Sequence, residues 1–165
     1  MPLLLDIRIR QKIVFAQIIY AETKEVAMWA AEHSIETSAA PDQIWRLWAD
    51  VPRWPEWNGD IERIELVGPF GAGSRILMTP VGQEPIELCI AEAVEPELFV
   101  DEAELGEIVV RTIHRIERFD SERCQVIYRM EITGPAADTL GLQIGPEISG
   151  DFPETLAALV ERAEA

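Results

Sequence analysis

The two histidines of this chain, His33 and His114, are its groups for acid and base work near neutrality, and Tyr128 could serve one of them as a partner. In the stretch Ile108 to Phe119, Val110, Thr112, His114 and Ile116 alternate with Arg111, Arg115 and Glu117, so a strand here turns its apolar set and His114 to one face. In Cys124 to Thr133 the apolar set is Cys124, Val126, Tyr128, Met130 and Ile132. A five-residue hairpin loop from Phe119 to Arg123 pairs Arg118 with Cys124 and hence His114 with Tyr128, within reach of a hydrogen bond. An inward histidine is suited to general acid or base work because it titrates near neutrality. The alternative is a ring whose nitrogens are satisfied by Tyr128 or water. His33 also falls on an apolar face, in Ala31 to Thr37. Asp101 stays open: Phe99, Ala103 and Leu105 place it inward, Leu98 and Val100 outward. Two histidines without a secure carboxylate make a poor metal site, and no metal or cofactor is expected.

Other residues that invite a chemical reading have simpler ones. Trp54 and Trp57, three apart on a helical turn, seal one end of a sheet more readily than they stack on a ligand. Gly68, Gly71 and Gly73 join two strands, whereas a phosphate loop runs from a strand into a helix N-terminus. Cys89 and Cys124 form no CxxC, and each reads as a buried, inert thiol of a reduced chain.

The elements that must position these groups follow from periodicity. Apolar residues recur at Leu140, Ile144, Ile148, Phe152 and Leu156, one stripe along a C-terminal helix spanning about 134–165. Pro146 and Pro153 predict a break near Gly145 to Asp151, with Asp151 and Glu154 capping a second half. Upstream, Ala31 to Thr37 reads as a first strand, and Pro41 opens a short helix bearing Ile44, Leu47 and Trp48. Six strands follow: Ile61 to Val67, Ser74 to Thr79, Pro85 to Val94, Leu98 to Leu105, Ile108 to Phe119 and Cys124 to Thr133. Short connections between them imply an antiparallel meander, and a sheet curved around the last helix is the simplest cover for its stripe.

A chain of 165 residues with 48% hydrophobic composition supports one domain with a sizeable core. Its formal charge of -16 disfavours nucleic acid and anionic lipid surfaces. No apolar run reaches the roughly 18 to 20 residues of a membrane span, and the run Ile13 to Ala21 imitates a signal peptide only faintly, so a cytoplasmic chain without membrane insertion is expected. Residues 1–27 differ in kind: both lysines, Lys12 and Lys24, lie there, and every later basic residue is arginine. The expectation is a non-native N-terminal extension with Met28 as the natural start, ahead of one domain over residues 28–165. The alternative is a genuine amphipathic extension.

The segment Ile44-Trp45-Arg46-Leu47-Trp48-Ala49-Asp50-Val51-Pro52-Arg53-Trp54-Pro55-Glu56-Trp57-Asn58 resembles the signature of the bacterial polyketide cyclase/dehydrase and lipid-transport branch of the SRPBCC (START-like) superfamily. Gly68-Pro69-Phe70 with Gly73, Phe99-Val100-Asp101-Glu102 and Ile132-Thr133-Gly134-Pro135 extend the resemblance over about residues 29–163. It implies an α+β helix-grip fold: a curved antiparallel sheet of about seven strands wrapped around a long C-terminal helix, with two short helices after the first strand. It also implies an internal cavity. Leu88, Ile90, Val110, Val126, Met130, Leu140, Ile144 and Ile148 are its expected walls, and Thr112, His114 and Tyr128 its polar groups. Binding or transport of a hydrophobic, lipid-like or aromatic small molecule is the first expectation. The second is a cyclase- or dehydratase-type enzyme with His114 as acid/base and Tyr128 as proton donor. The third is an acidic module that binds a basic partner protein. No nucleophile motif or metal cluster lifts the enzyme above the carrier, and the oligomeric state is left open.

Overall fold

Alternation between apolar and polar residues becomes a single seven-stranded antiparallel sheet in the computed structural model, which describes residues 28–165. The expectation for residues 1–27 lies outside the described residues. The strands are β1 (Met28–Thr37), β2 (Ile61–Val67), β3 (Arg75–Pro80), β4 (Ile86–Val94), β5 (Leu98–Leu105), β6 (Ile108–Arg118) and β7 (Cys124–Thr133). Their order is β1-β7-β6-β5-β4-β3-β2, so β2 to β7 form the expected meander and β1 closes onto β7. The β6–β7 hairpin has the expected register, with Arg118 opposite Cys124 and His114 opposite Tyr128.

Between β1 and β2 the chain forms helix α1 (Pro41–Ala49) and a 3₁₀ turn (Val51–Glu56). Pro41 occupies the first helical turn, where its missing N–H costs nothing, and the Gln43 side chain accepts a bond from the Ala40 N–H at 2.7 Å. The inner face of α1 buries Ile44, Trp45 and Trp48. Trp54 of the turn donates its indole N–H to the Trp48 carbonyl at 3.0 Å and rests beside Trp57, the structural role expected of this pair.

The C-terminal helix is broken as the prolines require, into α2 (Ala137–Ser149) and α3 (Phe152–Glu164). Gly134 turns the chain from β7 towards α2 at φ +117, and a Cβ there would collide with the Glu107 carbonyl. Asp151 precedes α3 but makes no capping bond, contrary to expectation; the Thr155 hydroxyl lies 3.5 Å from one of its oxygens. The stripe that α2 buries is also displaced from the expected one. Ala137, Gly141, Gly145 and Ser149 lie inward, Leu140 and Ile144 are half-buried, and Ile148 is 38% exposed. Trp29 of β1 is the cause: an added Cβ would lie 2.6 Å from its side chain at Gly141 and 2.5 Å from its ring at Gly145. The helix settles where glycine lets it approach the indole. In α3, Phe152, Leu156, Leu159 and Val160 are buried, and Glu164 ties the helix end to β1 by accepting from Thr37 Oγ1 at 2.7 Å and the Ser38 N–H at 3.1 Å. Both helices lie closest to β1, with β7 the next neighbour of α2 and α1 that of α3. No helix among the described residues is long and apolar enough to cross a membrane.

Candidate functional site

Four strands contribute one row to the concave face: Phe99 (β5), His114 (β6), Tyr128 (β7) and His33 (β1) stand opposite one another in register. The His114 ring stacks on Phe99 with centroids 3.9 Å apart and planes within 5°, and meets Tyr128 edge-on at 4.5 Å. Trp48 descends onto the row from α1, and its indole N–H donates to Tyr128 Oη at 3.1 Å. Phe152 closes the β1 end, edge-on to both Tyr128 and His33. His33 faces the helices as expected, but the residue is exposed. The next inward row along the strands is Asp101, Thr112 and Met130.

Asp101, undecided in sequence, is therefore inward, and its carboxyl approaches the imidazole of His114. Asp101 Oδ2 lies 3.9 Å from His114 Nδ1, too long for a hydrogen bond. The residues are 6% and 8% exposed, and among the described residues His114 Nδ1 has no hydrogen-bond partner. The bond expected between His114 and Tyr128 is absent because the rings meet edge to face and the phenol is engaged by Trp48.

Burial changes the acid and base character of these groups. Loss of hydration pushes the His114 imidazole down to about 3, against a smaller upward pull from the Phe99 carbonyl. The ring is thus neutral at physiological pH and does not titrate near neutrality. The same loss of hydration, with help from Glu102, raises the Asp101 carboxyl to about 7. Burial also holds the Tyr128 phenol well above its ordinary value, with smaller upward contributions from Asp101 and Asp151. Of the three, the Asp101 carboxyl lies nearest neutrality.

Of the expected wall residues, Leu88, Ile90, Val110, Val126 and Met130 are buried on the concave face with Thr112, His114 and Tyr128. Leu140 and Ile144 contribute only partly buried side chains, and that of Ile148 is largely turned to solvent, at 38% exposed. Cys124 is buried, its thiol 3.3 Å from the Ala39 carbonyl, whereas Cys89 is exposed, contrary to expectation. Outside the row, a cleft of about 500 Å³ opens between α1 and the turns bearing Phe70 and Glu95, lined also by Trp45, Arg46, Ala49 and Asp50. Phe70 packs edge-on against Phe99 at 5.2 Å, which sets the cleft one ring away from the stacked His114. Among the described residues no group of three or more potential ligands could hold a metal ion.

Several solved structures share this architecture. A point mutant of norcoclaurine synthase from Thalictrum flavum, in complex with a transition-state analogue, superposes with a TM-score of 0.70 at 15% identity, over 85% of this chain and 96% of that one. A START superfamily protein from Mycobacterium smegmatis gives 0.60 at 16% identity, over 82% and 97%. The di-domain ARO/CYC BexL of the BE-7585A biosynthetic pathway gives 0.71 at 11% identity, over 95% of this chain and 60% of that one. At such identities the likeness is one of fold. No curated protein matches the chain. The sequence profile described as "Polyketide cyclase / dehydrase and lipid transport" matches residues 28–164, and with the helix-grip architecture in place the chain belongs to that family.

Proposed function

We propose that the chain binds a hydrophobic small molecule, lipid-like or aromatic, against the concave face of the sheet. One observation carries this reading: a nine-tenths-buried imidazole nitrogen, His114 Nδ1, has no hydrogen-bond partner among the described residues, on a face otherwise walled by Leu88, Ile90, Val110 and Met130. A core built only for packing pairs or omits such a group, because an orphaned buried polar atom costs about 1 to 3 kcal/mol. A small-molecule site keeps a few polar groups in an apolar lining to orient its guest. Family membership supports the same class of function. The two unbridged cysteines, one of them exposed, suit a reducing compartment such as the cytoplasm.

Binding of the neutral fluorescent probe N-phenyl-1-naphthylamine tests the reading, in the parent and in Met130→Trp. If the face borders open volume, the larger ring fills it, so probe binding is lost while the melting temperature stays within a few degrees. In a close-packed interior the same substitution costs about 1 to 3 kcal/mol and the melting temperature falls. That fall, with no probe bound by the parent, would show there is no site.

A second reading, a cyclase- or dehydratase-type enzyme, draws on the carboxyl of Asp101 at about 7 beside the row. Asp101 rather than His114 then supplies the acid and base, and Tyr128 positions the reacting oxygen. Turnover of any carbonyl substrate that Asp101→Asn abolishes without loss of binding would promote this reading above the carrier.

A further inference from the structure

We propose that the guest carries a basic nitrogen, and that the Asp101 carboxylate receives it: the ligand class is a lipophilic or aromatic amine. The inference rests on the binding site proposed above and adds the charge of what enters it. Asp101 is 6% exposed on the concave face, and no cation of the described residues faces it. Every basic residue from position 28 onward is an arginine. Three arginines of β6 and β7 are spent on the convex face, where Arg111 pairs with Glu102, Arg115 with Glu32 and Glu117, and Arg129 with Glu131; Arg118 lies exposed at the far end of β6, opposite Cys124, whereas Asp101 stands opposite Thr112. The groups that do face the carboxyl are neutral or acidic. β4 presents Leu88 and Ile90, β6 presents Thr112 and His114, β7 presents Tyr128 and Met130, and the charge that acts on the carboxyl is that of its neighbour Glu102.

His114 cannot act as the missing cation. Its Nδ1 stands 3.9 Å from Asp101 Oδ2 without a bond, and burial keeps the ring uncharged at neutral pH. A buried carboxylate without a countercharge is costly, and an ammonium group removes the cost by pairing with it in a low-dielectric setting. An anionic guest meets the opposite: its carboxylate adds a second negative charge beside Asp101. Nδ1 of His114, if its proton sits on the other ring nitrogen, is a free acceptor for a second N–H of the same ammonium. The cleft at α1 has the same sign bias, since Asp50 and Glu95 flank its aromatic wall against the single cation Arg46.

The experiment compares three probes of one shape, 1-naphthylmethylamine, 1-naphthylmethanol and 1-naphthoate, titrated at pH 8 against the protein and against Asp101→Asn. The amine should bind at least tenfold tighter than the alcohol, and the acid weakest. In the asparagine variant the amine should lose that tenfold while the alcohol stays within about threefold. The parent also supplies a test that does not depend on the variant folding. Only the ionised carboxyl pairs with the ammonium, so amine affinity should fall about tenfold from pH 8 to pH 6, and alcohol affinity should not change. Equal binding of amine and alcohol, or an amine affinity indifferent to pH, overturns the inference and leaves the hydrophobic site standing. Failure of all three probes to bind overturns both.

Discussion

Because the Asp101 carboxyl titrates at about 7 in the fold and near 3.8 when hydrated, the folded chain holds a proton there that the unfolded chain has released at every pH between. The stability this supplies is complete below about 3.8 and is lost as the pH rises through 7. His114 runs the other way, from 6.5 to about 3, so its contribution is complete above 6.5 and is lost as the pH falls through 3. Between about pH 4 and 6.5 the two slopes oppose, and the pair leaves the parent's stability nearly level. Removing either member exposes the other. Asp101→Asn should gain on the parent as the pH rises from 4 to 7, and His114→Gln should gain as it falls from 6.5 to 4, each by at most about 4 kcal/mol at roughly 1.4 kcal/mol per pH unit. Urea unfolding in half-unit steps of pH reads both difference curves, and two flat curves would mean that neither group is buried as described. The sequence placed His114 opposite Tyr128, because the hairpin loop length and the alternation of two half-apolar strands agree on one register. It left Asp101 undecided for a physical reason. Phe99 and Val100 are 1% and 2% exposed, so this part of β5 is buried on both faces and alternation there has no phase to read.

At the scale of the element, the seat of α2 is set by what its residues lack. Gly145→Ala would ordinarily favour a helix by about 1 kcal/mol. Here the new methyl meets the Trp29 ring at 2.5 Å, so the substitution should instead destabilise by about 1 to 3 kcal/mol. In a Trp29→Ala background the clash is gone and Gly145→Ala should become neutral or stabilising. A double-mutant cycle by thermal unfolding measures that coupling, and a coupling near zero would remove Trp29 as the cause. The same contact explains where periodicity misled. Steps of four through Leu140, Ile144 and Ile148 mark the apolar side of the helix, but a glycine has no side chain to register in such a pattern. The close approach at Gly141 and Gly145 therefore turned the buried stripe by one position and left Ile148 38% exposed. The break itself was legible, since Pro146 and Pro153 act through the backbone wherever they stand.

Taken whole, the molecule is a strongly acidic shell around an apolar grip. With a formal charge of -16, self-repulsion outweighs the scattered ion pairs of the convex face, which are individually weak. Raising the salt from about 0.01 M to 0.1 M shortens the screening length from roughly 30 Å to 10 Å, and the melting temperature should rise by a few degrees. A fall would show instead that pairs such as Arg115–Glu32 dominate. The meander was readable at this scale because each strand finds its neighbour across a short turn. The partner of β1 was not, since that pairing is the one that spans the domain: His33 meets Tyr128 roughly a hundred residues later. During synthesis the order matters. β1 leaves the ribosome ahead of β2 to β7, yet its seat beside β7 is completed only after about 5 to 20 s of further elongation at ~5 to 20 residues per second. Through that interval an apolar edge bearing Trp29 and Ile35 stands without its sheet, and the carboxylates interleaved along it, Glu32 and Glu36, repel other nascent copies until β7 arrives.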